Sequence, residues 1–312
     1  MGAGAVGSYY GALLARDGHD VAMVARGPHL DALRGRGVVV VREADGRRWE
    51  APVTGLDRPG SAAPDLAIIT TKSHHSLPAA HALRRALARA TPVLSLQNGV
   101  ENVRRIGSVV GAERVLGGIA FVGLRVGEPG VVDHEAEGWV RIGHPLGPER
   151  ARAVHEILDG SWDVVLSDDI VRDQWHKLLW NAGFNAICAV TGATAGEALA
   201  TPASQELVLA AMREVVAVAA RHGVELTEAD VREMAAANPE LRDYRPSTAR
   251  DLDAGKVLER DALCGFLARE GARMGVATPV NAVLDALLAL QEDRARRPEG
   301  SSAAGEHFHK PA

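Results

Sequence analysis

Residues 2–7 read Gly2-Ala3-Gly4-Ala5-Val6-Gly7, a G-x-G-x-x-G sequence that leads directly into the helical pattern of residues 5–17. In a turn that binds a dinucleotide, the first glycine permits the sharp bend, the second lets the backbone approach the pyrophosphate, and the third lets helix and strand pack closely. The helix that follows offers free N–H groups and the positive end of its dipole to the phosphates. We therefore predict that Gly2, Gly4, Ala5, Val6 and Gly7 bind a dinucleotide.

The apolar strand that should precede this turn is missing, because only Met1 stands before Gly2. In a doubly wound sheet with strand order 3-2-1-4-5-6 that strand is central, so its loss leaves unpaired backbone groups on both neighbours. We favour a start codon assigned too late, since a GTG valine codon can be read as a start. The alternative is a true truncation that binds the cofactor poorly.

Short apolar runs alternate with helical patterns through residue 167. Strands are predicted at 21–25, 66–71, 93–96 and 162–166, with three more stretches across 114–142 and a hairpin of 37–43 with 47–53 around Asp45-Gly46. This alternation predicts an α/β fold with a mostly parallel, doubly wound sheet of the Rossmann type, lacking its first strand.

Helical patterns replace strand patterns from Asp168 onward. Helices are predicted at 170–190, 204–222, 227–236, 248–272 and 278–293. We therefore predict an α/β domain over residues 1–167 and an all-α domain over 168–293. Residues 294–312 have no periodicity and are interpreted as a disordered tail.

The composition excludes several classes of protein. A length of 312 residues suits two domains of roughly 150 residues each. A net charge of -5 and 4% aromatic residues argue against nucleic-acid binding. Cys188 and Cys264, the two cysteines, are expected to be small buried hydrophobes, and no metal site is expected. No apolar run reaches the ~18 residues of a membrane span and no signal peptide is visible, so we expect a cytoplasmic protein without a membrane partner.

The second strand ends in Val24-Ala25-Arg26-Gly27, with an arginine where an NAD site would place an acidic residue. A guanidinium at that position can bind a ribose 2′-phosphate bidentately. We therefore favour NADPH with Arg26 as a ligand, the alternative being a surface arginine beside a turn.

The candidate catalytic residues lie in Trp175–Asn185. Lys177, Asn181 and Asn185 are spaced i, i+4, i+8, so one helix face presents an ammonium and two amides. An ammonium in a partly dry pocket can protonate a substrate carbonyl while hydride arrives, and the amides can orient it or bind substrate hydroxyls. A solvated lysine is the alternative.

A second cluster contains Ser247, Thr248, Asp251 and Glu259. Thr248 and Asp251 match a T-x-x-D capping box, Ser247 is placed to bind a substrate carboxylate, and Glu259 either accepts from a substrate hydroxyl or is a solvated charge.

Two further candidates, Lys72 and Asn98, follow predicted strands at the carboxyl edge of the sheet, where ligands bind. Ordinary turn residues are the alternative for both positions.

Together these stretches resemble the ketopantoate reductase (2-dehydropantoate 2-reductase) family over nearly the whole chain. The resemblance rests on Gly2–Gly11, Lys72, Gln97-Asn98-Gly99, Trp175–Asn185, Ser247 with Asp251 and Glu259, and Gly275–Pro279. It implies a Rossmann domain, a helical domain and NADPH-dependent reduction of ketopantoate to pantoate for coenzyme A synthesis.

The resemblance also assigns roles to individual residues. It implies that Lys177 is the general acid, and that Asn98, Asn181, Asn185, Ser247 and Glu259 bind substrate, with Glu259 counted among the catalytic residues. Lys72 and Asn98 would lie near the cofactor. Cys264 and Glu101 depart from common members of the family, so a different 2-oxo acid stays open.

Two other functions are weighed against this one. A β-hydroxyacid dehydrogenase of the same architecture also uses a lysine and an asparagine one turn apart, but Arg26, Ser247 and Glu259 favour the reductase. A non-catalytic NADP-binding paralogue is supported only by the missing strand. The expected partner is a small 2-oxo acid, and a homodimer through the helical domain stays open.

Overall fold

The structure is a computed structural model that describes residues 1–60, 63–236 and 243–296. Strands and helices alternate along the first half of the chain. The strands are β1 (Ala22–Val24), β2 (Val38–Glu43), β3 (Arg48–Pro52), β4 (Thr54–Leu56), β5 (Ala67–Ile69), β6 (Val93–Ser95), β7 (Val115–Glu128), β8 (Val131–Gly143) and β9 (Val164–Leu166). The helices are α1 (Ala5–Arg16), α2 (Gly27–Arg36), α3 (Ser76–Ala86), α4 (Asn102–Val110) and α5 (Arg152–Leu158).

The main sheet has the order β3-β2-β8-β7-β6-β5, and β9 pairs with the far end of β8. The pairs β5–β6, β6–β7, β2–β8 and β8–β9 are parallel, whereas β2–β3 and β7–β8 are antiparallel. β1 pairs in parallel with β4 in a separate two-stranded sheet. The predicted α/β fold with a mostly parallel sheet is confirmed, and so is the hairpin of β2 and β3.

Met1 and Gly2 lie between the two sheets. The Met1 amino group donates to Ile68 O at 2.6 Å, and Thr70 N donates to Met1 O at 2.9 Å. On the other side, Gly2 N donates to Val24 O at 3.1 Å. The first residues of the chain therefore connect the end of β1 to the end of β5.

Residues 114–142 form two long strands, so the prediction of three stretches was wrong. The glycines inside β7 do not end the strand, because each lies where another element approaches closely. A Cβ on Gly117 would lie 2.9 Å from Gln174 Nε2, and one on Gly118 would lie 2.5 Å from Leu96 Cδ2. Three register shifts against β8 absorb the irregularity.

The second half of the chain is helical, as predicted. Its helices are α6 (Ile170–Trp180), α7 (Ala186–Thr191), α8 (Ala195–Ala198), α9 (Pro202–Arg221), α10 (Glu228–Ala235), α11 (Ser247–Asp253), α12 (Cys264–Met274) and α13 (Pro279–Arg296). A large apolar core that includes Leu178, Phe184, Met212 and Leu267 holds them together, and Cys188 and Cys264 are buried in it as expected. Among the described residues, none of the helices has the length and apolarity to cross a membrane.

Two predicted helices are interrupted. The segment predicted as one helix over 170–190 contains a π-helical turn at Asn181–Asn185 between α6 and α7. The segment predicted over 248–272 divides into α11 and α12, because Gly255 takes a left-handed φ of 62° just beyond the end of α11. At the chain end, α13 continues to Arg296, so the first residues of the predicted tail are helical, and residues 297–312 lie outside the described part.

Candidate active site

The glycine-rich turn has the geometry that its sequence predicts. A Cβ on Gly2, whose φ is 93°, would lie 2.7 Å from Thr71 N, and one on Gly7 would lie 2.4 Å from Thr70 Oγ1. These two glycines therefore let the turn and α1 pack against the end of β5. A Cβ on Gly4 would meet no atom within 4 Å. Gly4 is the N-cap of α1 and no side chain caps the helix, so its first N–H groups face an open space.

Arg26 lies at the carboxyl end of β1 and is the N-cap residue of α2. Its side chain is exposed and has no hydrogen bond or ion pair within the described part of the chain. The pKa of His75 nearby is lowered, first by burial and then by the charges of His74 and Arg26. Arg26 is therefore free to bind an anionic group.

A buried polar network fixes the carboxyl ends of β5 and β6. Gln97 Nε2 donates to Thr71 O at 2.8 Å and to Ser76 Oγ at 2.9 Å. Ser76 Oγ lies 2.7 Å from Asn102 Oδ1, and Asn102 Nδ2 donates to Asn98 O at 2.7 Å. The network orders the loops that carry Lys72 and Asn98. The roles of Gln97, Ser76 and Asn102 are not evident from the sequence, because the three side chains meet only in the folded chain.

Lys72 is held between two carboxylates of the helical half. Its Nζ donates to Asp251 Oδ2 at 2.6 Å and to Glu259 Oε2 at 2.9 Å, and Ser73 N donates to Glu259 Oε1 at 2.8 Å. Burial favours the neutral amine, but the two carboxylates outweigh it and raise the pKa of Lys72. Glu259 is 7% exposed, so the alternative of a solvated helix charge was wrong.

The predicted capping box of Thr248 and Asp251 was also wrong. Helix α11 begins at Ser247 with Pro246 as its N-cap, and no side chain caps it. Asp251 instead reaches across to Lys72, because the two halves of the chain meet there. The T-x-x-D spacing coincides with an ion pair between distant parts of the chain, which a local pattern cannot reveal.

The Asn98-Gly99 loop contacts the helical half directly. Gly99 has a φ of 91°, and a Cβ there would lie 2.8 Å from Ala262 O. Ala262 belongs to a short 3-10 turn, Arg260–Ala262, whose N-cap is Glu259. The structure therefore brings the Asn98 loop, Lys72 and Glu259 to one side of the junction between the two halves.

Lys177 projects from α6 toward β7. Its Nζ donates to Ala120 O and lies 4.2 Å from the centroid of the Phe121 ring. Phe121 in turn stacks on Trp139 of β8 with ring centroids 3.9 Å apart. Burial lowers the pKa of Lys177 to about 8. Phe121 is not recognisable as a site residue from the sequence, because its contact with Lys177 depends on the packing of α6 against β7.

Asn181 and Asn185 lie in the π turn that follows α6, and both are buried. Asn185 Nδ2 donates to Asn181 Oδ1 at 3.2 Å. The two amides are therefore side by side, as the spacing predicts, although the backbone between them is π-helical. Such single π turns are frequent at functional sites.

Helix α11 lies between the π turn that carries Asn181 and Asn185 and the loop that carries Lys72. It packs against α7 and against the π turn, while Asp251 binds Lys72. Arg250 Nη1 donates to Glu135 Oε2 of β8 at 2.6 Å. Ser247, at the first turn, is half-buried, and its hydroxyl has no hydrogen-bond partner among the described residues. The α/β half and the helical half thus meet at two places, the paired charges of Lys72 with Asp251 and Glu259, and the desolvated ammonium of Lys177 on β7.

Comparison with known proteins agrees with this architecture. The family Ketopantoate reductase PanE/ApbA matches residues 1–147, and its C-terminal counterpart matches residues 169–292. The 2-dehydropantoate 2-reductase of Archaeoglobus fulgidus is 33% identical over 91% of this chain and 94% of its own. A PanE/ApbA family ketopantoate reductase from Ralstonia eutropha JMP134 has a TM-score of 0.87 at 32% identity, covering 95% of this chain and 98% of its own.

A D-mandelate dehydrogenase, solved in a ternary structure with NADH and anilino(oxo)acetate, is also similar. It has a TM-score of 0.87 at 25% identity, with 94% of this chain and 97% of its own covered. Fold and site thus define an α/β oxidoreductase that acts on a 2-oxo acid. The chain belongs to the ketopantoate reductase family, which confirms the resemblance found in the sequence.

Proposed function

We propose that this protein reduces 2-dehydropantoate (ketopantoate) to pantoate with NADPH, and that Lys177 donates the proton. The observation that carries the proposal is the environment of Lys177. Its ammonium is held by Ala120 O and Phe121, and burial brings its pKa to about 8. A general acid works best when its pKa lies near the working pH. Two reductases of this family, named above, support the choice of substrate.

The residues present suit a bound dinucleotide. The open space at Gly4 and the uncapped start of α1 would take the pyrophosphate, with Gly2, Ala5, Val6 and Gly7 shaping the turn. Arg26 would bind a 2′-phosphate, which would favour NADPH over NADH. Lys72 and Asn98 would face the cofactor from the strand ends. When bound, the nicotinamide supplies the hydride for the ketone carbon.

The protein's own side chains then complete the reduction. The Lys177 ammonium donates its proton to the ketone oxygen as that oxygen gains negative charge. Asn181 and Asn185 orient the substrate, and the free hydroxyl of Ser247 donates to its carboxylate. Glu259, fixed by Ser73 N and Lys72, accepts from a substrate hydroxyl.

A second candidate is the reduction of an aromatic 2-oxo acid. Phe121 and Trp139 stack beside Lys177 and offer an aromatic surface at the reacting end of the cleft. The D-mandelate dehydrogenase with the similar structure was solved with anilino(oxo)acetate, an aromatic compound of this kind. A β-hydroxyacid dehydrogenase has no comparable support from the site geometry.

The test compares initial rates of NADPH oxidation with ketopantoate, phenylglyoxylate and 2-oxobutyrate as substrates. The proposal expects the highest kcat/KM for ketopantoate, whereas preference for phenylglyoxylate would establish the second candidate. The same assay with NADH in place of NADPH tests which of the two cofactors the protein prefers. Arg26→Ala should lower kcat/KM for NADPH by about ten- to hundredfold, since one charge-assisted contact is lost, and leave that for NADH unchanged. An equal loss with both cofactors would contradict the role of Arg26.

The proposal extends to the organisation of the chain. We propose that residues 1–167 and 168–293 are separate domains and that substrate binds in the cleft between them. Closure of the cleft would then exclude water from Lys177 during the reaction. A homodimer through the helical domain is compatible with the exposed apolar side chains of α13, among them Val283 and Leu290. Light scattering of the purified protein tests that assembly.

A further inference from the structure

The two parts of the proposed cofactor site that would bind phosphate lie on different helices. The glycine turn is at the start of α1, and Arg26 is at the start of α2. The strand between these helices, β1, pairs with β4 in a sheet that is separate from the main one. The hydrogen bonds of the main sheet therefore do not fix where α2 begins, and other contacts must do so.

His29 of α2 makes such a contact, because its ring joins three elements. Its Nε2 lies 3.0 Å from Ser8 Oγ of α1, and Gly130 N in the turn between β7 and β8 donates to its Nδ1 at 3.1 Å. The O atom of Gly130 accepts from Val40 N of β2 at 3.0 Å, so this turn is held by the main sheet. The ring thus connects α2 to α1 and to the main sheet at the same time.

The ring contacts α1 and α2 close to their first residues. Ser8 N donates to Gly4 O at 2.9 Å, so Ser8 lies one turn beyond the glycine that faces open space. The hydroxyl of Ser8, a fully buried residue, bonds to His29. On α2, His29 follows Arg26 by three residues, so the two are neighbours on the helix surface. A displacement of the ring therefore moves Arg26 relative to the glycine turn.

The neutral ring is the form that makes both hydrogen bonds. Because Gly130 N donates to Nδ1, the ring proton is on Nε2 and is donated to Ser8 Oγ. Burial lowers the pKa of His29 and so favours this form. Protonation of Nδ1 would remove the bond from Gly130 N and place two N–H groups against each other.

Few charged side chains surround this ring. On α2, Arg26 and Arg36 lie on the same side of the helix as His29, and the residues before the β7–β8 turn include Glu128, which pairs with Arg42 at 3.6 Å. The first eleven residues of α1 carry no charge. Two arginines near the ring and a carboxylate that is already paired also favour the neutral form.

We propose that His29 is a positioning residue for the cofactor, whose neutral ring holds α2 so that Arg26 and the glycine turn bind the 2′-phosphate and the 5′-phosphate of one adenosine together. The inference rests on the proposed use of NADPH. A cofactor without the 2′-phosphate needs the glycine turn but not Arg26, so its binding depends less on His29. The ring thus contributes to the choice between NADPH and NADH without contacting either of them.

Adenosine 2′,5′-bisphosphate and 5′-AMP are the probes, because they differ only in the 2′-phosphate. Calorimetric titration of the full chain measures both affinities without turnover. Wild type should prefer the bisphosphate by about ten- to hundredfold, the contribution of charge-assisted hydrogen bonds, and His29→Leu should lose most of that preference. Adding His29→Leu to Arg26→Ala should lower the preference no further than Arg26→Ala alone. Additive losses, or an unchanged preference in His29→Leu, overturn the proposal.

His144→Leu is the matched control for a purely structural effect. Leu146 N donates to His144 Nδ1 at 3.0 Å, and His144 Nε2 lies 3.2 Å from Glu113 O, so this ring has the same bonding pattern between other elements. His144→Leu should lower the melting temperature and keep the preference for the bisphosphate. An equal loss of preference in both variants would assign the effect to general destabilisation and overturn the proposal.

Two more variants test the protonation state and replace His29→Leu if it does not fold. His29→Asn keeps an acceptor for Gly130 N and cannot be protonated, so from pH 7.5 to pH 5 its preference should fall less than that of wild type. The phosphates titrate with a pKa of about 6 in both proteins, so equal falls would overturn the role of the neutral ring. Ser8→Ala removes one bond to the ring and should also lower the preference, and an unchanged value would count against the proposal.

The same titrations separate this inference from the proposed function. If wild type shows no preference for the bisphosphate, the proposed use of NADPH fails and this inference fails with it. If the preference is lost in Arg26→Ala but kept in His29→Leu, the role of Arg26 stands and the role of His29 alone is overturned.

Discussion

The Nζ atom of Lys177 lies 4.2 Å from the centroid of the Phe121 ring, while its hydrogen bond goes to the backbone oxygen of Ala120. A cation over an aromatic face is favourable, but the same ring displaces water that would otherwise solvate the ammonium. Desolvation is the larger effect, since the pKa of Lys177 falls to about 8. Phe121 therefore contacts the ammonium, and the burial in which it takes part makes the ammonium a stronger acid.

The first prediction concerns the pH dependence of ketone reduction. Only the protonated form of Lys177 can donate, so kcat/KM should be constant below pH 8 and fall about tenfold per pH unit well above it. Oxidation of the hydroxy acid needs the neutral amine and should show the opposite dependence. Initial rates in both directions across the pH range measure this. A profile for reduction that stays flat well above pH 8 would argue against Lys177 as the acid.

Phe121 provides a sharper form of that test. Phe121→Ala admits water to the Nζ atom and should move the upper pH limit of reduction toward the value of an ordinary lysine. Trp139→Leu is the control, because Trp139 stacks on Phe121. The limit should shift clearly in Phe121→Ala and little in Trp139→Leu. If the pH limit shifted equally in both variants, the shift would result from disturbed packing of β7 against β8 and not from the contact of Phe121 with Lys177.

The second prediction separates proton donation from cofactor binding. Lys177→Met should lower kcat by about 10²–10⁴-fold, the usual contribution of a general acid. NADPH affinity, measured by fluorescence titration, should change little, since Gly4 and Arg26 lie on the other half of the chain. A loss of NADPH affinity that matches the loss of kcat would mean that Lys177 binds cofactor and is not the acid.

The third prediction concerns the ion pairs that join the two halves. Glu259→Gln removes the charge that faces Lys72 and should lower the free energy of unfolding by about 1.5–3 kcal/mol, the range for a hydrogen bond to a charged group. Arg104→Gln is the control, because Arg104 is 76% exposed and its pair with Glu101 should contribute less than about 1 kcal/mol. Urea unfolding of both variants measures the difference. Similar losses would show that Lys72 and Glu259 are effectively solvated.

The elements that the sequence predicted well depend on local rules. The glycine turn, the Asp45-Gly46 hairpin and the side-by-side amides of Asn181 and Asn185 follow from spacing within a few residues. The errors arose where distant segments decide. Asp251 matches a capping box locally, yet it pairs with Lys72, 179 positions away in the chain. Likewise, the glycines of β7 predicted that the strand would end. In the structure they lie inside one strand, at positions where α6 and β6 pack closely against it.

The fourth prediction distinguishes the glycines of the first turn. Gly4→Ala should leave the melting temperature nearly unchanged, because no atom lies within 4 Å of the added Cβ, and yet weaken NADPH binding by occupying the open space. Gly7→Ala should destabilise the fold, because its Cβ would lie 2.4 Å from Thr70 Oγ1 and 2.7 Å from Gly2 O. Thermal unfolding and NADPH titration of both variants test this. Unchanged NADPH affinity in Gly4→Ala would remove the turn from the cofactor site.

The fifth prediction uses the gap between β1 and β5, which Met1 and Gly2 bridge at one end. Five apolar, β-branched residues added before Met1 can pair with both edges as a central strand and keep the bond from Met1 N to Ile68 O. The extension should raise the melting temperature by several degrees and tighten NADPH binding, because it fixes the glycine turn. A five-residue Gly-Ser extension is the control and should do neither.

The buried amino group of Met1 adds an independent readout for the same extension. Burial lowers its pKa to about 6, below its ordinary value of 8.0, so the unfolded chain binds more protons between these values and stability rises with pH across this window. Either extension converts the Met1 amino group into a peptide N–H. It should therefore abolish the rise in stability with pH that this amino group causes. Only the apolar one should also raise the melting temperature at pH 8. Equal melting temperatures for the two extended chains would show that the gap does not accept a strand.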